Sequence, residues 1–456
     1  MAKPRESRLE EFIDNPRRAV WVLALPMMAG MLFHTLYAVV DMAFVGRVGP
    51  EALAAITFVG PFFFVAIALT SGLFTGITAA VAQAVGRKDE RGADLAASNG
   101  MGLALVMGVL FALGGGFMGP AMLEAAGAEG ETVAQAWAYF QIIALCIPLF
   151  FFSSVLRAML NGEGDAKSPM VVMGIVTAVN LVLDPIFIFT LDMGIRGAAV
   201  ATIISQVIAT VVFVWWVLIR RKTATRLRIR DMRPDTVVLM RILRVGVPTT
   251  FAQLVMSFAM ILGNKLLAGF GQITVAGYGA GTRVDMLVSM PILGLASGSI
   301  AVIGMFAGAR RADLVRSTAL YTYRWALTLG VTLGLGAFAA SGPLMRLFTS
   351  DAEAIGVGRV YLGYMLFAYP LMALGMTSGR ILQGLGYGFP ALAITAVRTM
   401  VVGIPVAYAL VYLFDAPIDW VWISFILGGA ASVALGLAWV YHLVWRRDPT
   451  LRAAEG

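Results

Sequence analysis

Apolar residues run along this chain in blocks, and the charged residues gather in the short stretches between them. A helix needs about 20 mostly apolar residues to cross the hydrocarbon core of a bilayer. Twelve stretches meet that length, at residues 19–45, 52–84, 95–118, 134–160, 168–190, 197–219, 242–269, 275–308, 314–340, 356–384, 390–414 and 420–445. The second, fourth and eighth exceed a simple crossing, which predicts tilt or helix continuing into the cytoplasm. The predicted fold class is an all-α polytopic membrane protein.

Composition strengthens that reading. Hydrophobic residues make up 59% of the 456 residues and charged residues 13%, and mean hydropathy is +0.85. A soluble domain sits nearer ~45–50% apolar and ~25% charged. The basic residues fix an orientation. One side holds Arg5, Arg8, Arg17 and Arg18, then Arg87, Lys88 and Arg91, then Lys167, then Arg220, Arg221, Lys222, Arg226, Arg228, Arg230 and Arg233, and finally Arg310, Arg311, Arg316, Arg446 and Arg447. The opposite loops hold Arg47, Arg196, Arg346 and Arg359, but also Glu124, Glu129, Glu131, Asp351, Glu353, Asp415 and Asp419. The positive-inside rule then places both termini in the cytoplasm. That asymmetry, with contact to anionic lipid, accounts for the net charge of +8 without nucleic acid. The first apolar stretch is too long for a signal-peptide core and reads as a retained helix. Cys146 is the single cysteine, so disulfides play no part.

The chain repeats itself at an offset of 222 residues. Pro26 matches Pro248; Gly72, Gly76 and Gly86 match Gly294, Gly298 and Gly308; Pro148 matches Pro370; Gly162 and Gly164 match Gly384 and Gly386. Six helices per half is an even number, so the halves start on the same side and form parallel repeats. Two pseudo-symmetric six-helix lobes follow, residues 1–226 and 227–456. In transporters built this way, sites lie near the midplane where Gly or Pro interrupts a helix.

Two acids break the apolar pattern. Asp41 lies near the end of the first stretch, and Asp184 lies inside VTAVNLVLDPIFIF. A charge at the bilayer centre costs roughly 2.5–3.5 kcal/mol on insertion scales, so an acid kept there has a partner or a task. Asn180 and Asp184 are four apart and share a helix face. His34, Tyr37 and Asp41 share another, and Pro185 loosens the helix beyond Asp184. If those faces meet, one pocket holds two carboxylates, an amide, a phenol and an imidazole, with Thr202 able to add a hydroxyl. Paired carboxylates titrate as a unit and hold a proton or a Na⁺, with amide and hydroxyl oxygens completing the set. The repeat mates of positions 41, 180 and 184 are Gly263, Val402 and Val406, so this chemistry is confined to the first half.

The stretches LPMMAGMLFHTLYAVVDMAFVGRVGPEALAA, GEGDA, NLVLDPIFIFTLDMGIRGAAVATIIS and ILRVGVPTTFAQLVMS resemble the MATE (multidrug and toxic compound extrusion) transporters, over essentially the whole chain. The branch resembled is the archaeal and DinF-like one, within the multidrug/oligosaccharidyl-lipid/polysaccharide exporter superfamily. The resemblance implies a secondary active antiporter that exports amphipathic, mostly cationic compounds by alternating access of two lobes. It implies a proton or cation site at Asp41, Asn180, Asp184 and Thr202, with Na⁺ held at Asp41, Asn180 and Asp184 if Na⁺ is the ion. It places Tyr37 in the drug cavity and a bend of the first helix at Pro26 and Gly30. His34 and Arg157 are further cavity candidates. Arg157 stands one turn before Asn161, where relatives usually carry Arg. Lys265 is expected to pair with Asp285, and Arg283 and Arg398 to serve structural pairing. No cofactor is expected beyond H⁺ or Na⁺, and the partners expected are a small amphipathic molecule and the bilayer, with the protein a monomer. The alternative is a flippase for a lipid-linked substrate, which Arg157, Lys265 and Arg283 would suit. A major-facilitator transporter lacks the NLVLDPIFI match, and nothing forms a selectivity ring for a passive channel. An enzyme is not expected: His34 and His442 are the only histidines, and no HExxH, P-loop or dinucleotide fingerprint occurs.

Overall fold

Every predicted span carries a long helix. The computed structural model of the chain describes residues 8–125, 127, 130–219 and 223–447, so Arg5, Glu129, Arg220, Arg221 and Lys222 lie outside the described residues. The long helices are α1 (Pro16–Gly46), α2 (Pro50–Gly86), α3 (Glu90–Ala125), α4 (Glu131–Gly162), α5 (Lys167–Pro185), α6 (Gly194–Val214), α7 (Thr236–Ala268), α8 (Gln272–Gly308), α9 (Ala312–Ala339), α10 (Ala352–Gly384), α11 (Gly388–Ala396, continued by Ile404–Phe414) and α12 (Asp419–Val440). No strand occurs among the described residues. Eleven of these helices are long and apolar enough to cross a membrane. The twelfth, α9, is diluted by Arg324 and by its glycines and threonines. Side chains such as Leu110, Leu145 and Val211 stand exposed on helix flanks, where lipid would cover them.

The repeat is written into the backbone. Positive φ recurs at the same offset of 222: Gly49 (154°) and Gly271 (104°), Lys88 (56°) and Arg310 (57°), Gly164 (88°) and Gly386 (88°). The halves part company around the acid. In α5, Pro185 leads into a π-helical turn, Ile186–Thr190, whereas α11 carries its π-helical segment, Val397–Gly403, earlier in the repeat. Extra residues inserted into a helical turn of this kind frequently mark functional positions.

Two compact units emerge, one of residues 1–9 and 29–246, the other of 10–28 and 247–456. The chain therefore passes between units inside α1, after Met28, and inside α7, after Gly246. Close approach explains two of the repeated glycines. In the first unit, a Cβ on Gly76 of α2 would lie 2.3 Å from the Ile242 carbonyl oxygen of α7. In the second, a Cβ on Gly298 of α8 would lie 3.1 Å from the Ala24 nitrogen of α1. Each start of α1 and α7 thus packs on helices of the other half of the sequence.

The segment after α6 is held against the first unit. Glu163, of the GEGDA motif, accepts hydrogen bonds from the backbone nitrogens of Thr225 (2.7 Å) and Ala224 (3.1 Å). Asp94 accepts from the Arg226 nitrogen at 2.6 Å and Ser98 from the Arg228 nitrogen at 3.2 Å. Asn99 donates to the Asp231 carbonyl at 2.9 Å and accepts from the Asp235 nitrogen at 2.7 Å. Arg91 grips the Asp231 carboxylate with both terminal nitrogens, one of them at 2.8 Å, and holds it below the usual carboxylate range. Burial pushes the Glu163 carboxyl up to about 7.

Candidate coupling site

Asp184 projects from the last turn of α5 and is fully buried. Its Oδ1 accepts a hydrogen bond at 3.0 Å from Asn180 Nδ2, one helical turn back. Among the described residues its buried Oδ2 has no hydrogen-bond partner, and neither has Asp41 Oδ1 on α1. Asp41 lies within electrostatic reach of Asp184, and both lie within reach of Tyr37. The Tyr37 hydroxyl and Thr202 Oγ1 share a hydrogen bond of 2.9 Å, which ties α1 to α6. Thr177 Oγ1 donates to the Phe33 carbonyl at 3.2 Å and ties α5 to α1. The two helix faces thus come together around Asp41, Tyr37, Asn180, Asp184 and Thr202.

The arrangement is chemically incomplete. A buried polar atom without a partner costs about 1–3 kcal/mol, more when charged, and two carboxylate oxygens stand in that condition here. A proton shared between them, or a cation bound by them, would supply the missing partner. Among the described residues no group of three or more His, Cys, Asp and Glu is placed to hold a metal ion.

The remaining candidates spread outward. His34 is exposed and lies within electrostatic reach of Arg157. The Arg157 guanidinium sits over the Phe74 ring, 5.1 Å from its centroid, and among the described residues makes no ion pair. Pro26 and Gly30 lie in an unbroken α1, on either side of the point where that helix passes from one unit to the other.

The expected Lys265–Asp285 pair does not form. Lys265 is exposed at the end of α7. Asp285 instead accepts hydrogen bonds from the Tyr361 and Tyr369 hydroxyls of α10, one on each carboxylate oxygen. Both phenols are buried, so the acid is neutralised by dipoles rather than by a cation. Arg283 lies over Phe348 at 5.7 Å, and Arg398 contacts the Met256 sulfur at 4.0 Å; neither pairs with an acid among the described residues.

Sequence reasoning missed Tyr139, which lies within electrostatic reach of Asp41, Asp184 and Tyr37. The repeat could have found it: Tyr139 is the mate of Tyr361. One tyrosine stands by the acids of the first half and the other binds the acid of the second.

Twelve long helices in two copies of a six-helix unit, with a pair of acids carrying unpartnered oxygens inside one copy, define a polytopic membrane protein of the transporter class. The model of the MatE family matches residues 26–186 and 248–409, two stretches that begin 222 residues apart at the paired prolines. The chain belongs to this MATE family, and its relatives are named as transporters rather than enzymes. It is 27% identical over 446 residues to a probable multidrug resistance protein, NorM, of Thermotoga maritima, covering 97% of this chain and 96% of that protein. It is similar to a crystal structure of a MATE protein in the bent conformation, with TM-score 0.91, 31% identity, and 98% and 99% of the two chains covered. It is also similar to a transporter of the MOP superfamily from Pyrococcus furiosus, described as having a binding pocket of reverse polarity that suggests a different function. There the TM-score is 0.89, the identity 32%, and 94% and 96% of the chains are covered.

Proposed function

We propose that this protein is a secondary active multidrug exporter that expels amphipathic, mostly cationic compounds in exchange for protons, or for Na⁺, by alternating access of its two lobes. The observation that carries the reading is the pair of unpartnered carboxylate oxygens on Asp41 and Asp184 inside the first half. A proton loaded there from one side of the membrane and released to the other couples the gradient to transport. One elementary charge moved across 100 mV is worth about 2.3 kcal/mol, enough for a roughly 50-fold gradient of a neutral compound. Asn180 and Thr202 position the acids, Tyr37 and His34 line the cavity of the first lobe, and the bend of α1 at Pro26 and Gly30 links protonation to release. That one helix belongs to two compact units supports this last assignment. The protein works as a monomer in the plasma membrane of a prokaryote, with both termini cytoplasmic. Protons are favoured over Na⁺ because two acids and an amide offer few fixed oxygens for a metal ion.

In proteoliposomes under an imposed pH gradient, Asp41→Asn and Asp184→Asn each abolish substrate export while the protein still elutes as a folded species. Export surviving both changes would overturn the coupling site.

A second reading, a flippase for a lipid-linked substrate, rests on Arg157. That cation is exposed near His34 and has no ion pair among the described residues, as an anion-binding position would. Arg157→Gln impairs transport of anionic lipid-like substrates under this reading and leaves cationic dyes untouched.

A further inference from the structure

The first turn of α1 and residues 317–324 of α9 line a cavity of about 350 Å³, with Pro16, Arg17, Ser317, Thr318, Leu320, Tyr321 and Arg324 around it. Among the described residues, two arginines and three hydroxyl-bearing side chains line it, and no acid does. Arg17 lies over the Tyr321 ring at 5.9 Å, and neither Arg17 nor Arg324 has an ion-pair partner among the described residues. Thr318 is only 2% exposed, yet its Oγ1 has no hydrogen-bond partner. A buried hydroxyl left open beside two unpaired guanidinium groups is the signature of a polar ligand that is to complete them.

The repeat mates of Tyr321 and Arg324 are Asn99 and Gly102 of α3. In the first unit those positions meet the chain itself: Asn99 binds the Asp231 carbonyl and the Asp235 nitrogen, and a Cβ on Gly102 would lie 2.8 Å from the Met232 carbonyl oxygen. In the second unit the same positions carry a phenol and a guanidinium, and both line the cavity.

The side chains around the cavity point to its ligand. The cavity lies beside the first turn of α1 and the N-terminal half of α9. Trp21 donates to the Tyr321 hydroxyl at 3.0 Å and meets Trp325 edge-on at 5.0 Å. Tryptophan and tyrosine gather at the level of lipid headgroups. Arginine forks match phosphate oxygens bidentately. We propose that this cavity binds the phosphate headgroup of an anionic phospholipid, with Arg17 and Arg324 on the phosphate, Thr318 Oγ1 donating to it, and the exposed Leu320 beside the acyl chains. The site is independent of the acidic centre.

The test is native mass spectrometry of the full-length protein released from detergent, titrated with phosphatidylglycerol, phosphatidylcholine or inorganic phosphate. Phosphatidylglycerol adducts form in preference to phosphatidylcholine. Arg17→Gln with Arg324→Gln weakens them about tenfold, as loss of two charge-assisted contacts implies. Thr318→Val weakens them about threefold, the scale of one hydrogen bond. Arg324→Lys, which keeps the charge, retains part of the affinity and gives a second readout should the double variant fold poorly. Arg346→Gln, on the opposite side of the protein, changes nothing. Adducts of the double variant as strong as those of the wild type would overturn the proposal. So would phosphatidylglycerol binding no better than phosphatidylcholine, or displacement by equimolar inorganic phosphate.

Discussion

Each half of this protein buries an acid near a tyrosine, and the two acids are treated in opposite ways. In the first half Asp184 has one oxygen on Asn180 and the other without a partner, and Asp41 adds a second unpartnered oxygen. In the second half Asp285 has a tyrosine hydroxyl on each oxygen. A saturated carboxylate fastens α8 to α10; the unsaturated pair is the one proposed to hold an exchangeable proton or cation. The repeat supplies one scaffold twice, and hydrogen-bond satisfaction of the acid is what differs between the copies.

The comparison is broken most directly by neutralising one acid at a time. Asp184→Asn and Asp41→Asn lower gradient-driven export by about 100-fold or more, the scale on which loss of an essential proton-transfer group is felt. Asp285→Asn leaves the coupling intact and lowers stability by about 2–3 kcal/mol, because a charge-assisted acceptor for two buried hydroxyls is weakened. Thermal unfolding in detergent reads that loss. Equal transport defects from Asp184→Asn and Asp285→Asn would erase the distinction between the halves.

A smaller effect sharpens it. Tyr37→Phe removes the hydrogen bond to Thr202 and is expected to cost about 1 kcal/mol, seen as a few-fold rise in KM for substrate with coupling retained. Tyr361→Phe costs a similar amount in stability and leaves KM unchanged.

The smallest effect concerns pH. Glu163 is buried and pushed up to about 7. Its folded value exceeds the unfolded one, so its contribution to stability is fully present at low pH and is lost as pH rises through about 7. Glu163→Gln flattens the fall in melting temperature between pH 4.5 and 7 relative to the wild type. An unaltered pH profile would show that the carboxyl is solvated and ionised throughout.

Much of this was legible in the chain. Span length located all twelve helices, because apolar runs of that length have few other uses. The offset of 222 residues set the two halves, since the turns that need positive φ recur at it. Helical spacing put Asn180 with Asp184 on one face and Tyr37 with Asp41 on another, and left open whether the two faces meet. What could not be read was pairing across helices. Lys265 and Asp285 lie on neighbouring spans, and charge alone suggested a bond; the tyrosines that hold Asp285 come from α10, 76 and 84 residues away. Likewise, nothing in one strip of sequence says that Glu163 and Asp94 grip the segment after α6, since its backbone nitrogens look alike in any loop.

The most direct measurement is proton release on substrate binding, taken by calorimetry of purified protein in two buffers of different ionisation enthalpy. The wild type and Asp285→Asn should each release about one proton per substrate bound, and Asp184→Asn should release none. Release from Asp184→Asn equal to that of the wild type would contradict the assignment of coupling to the first half.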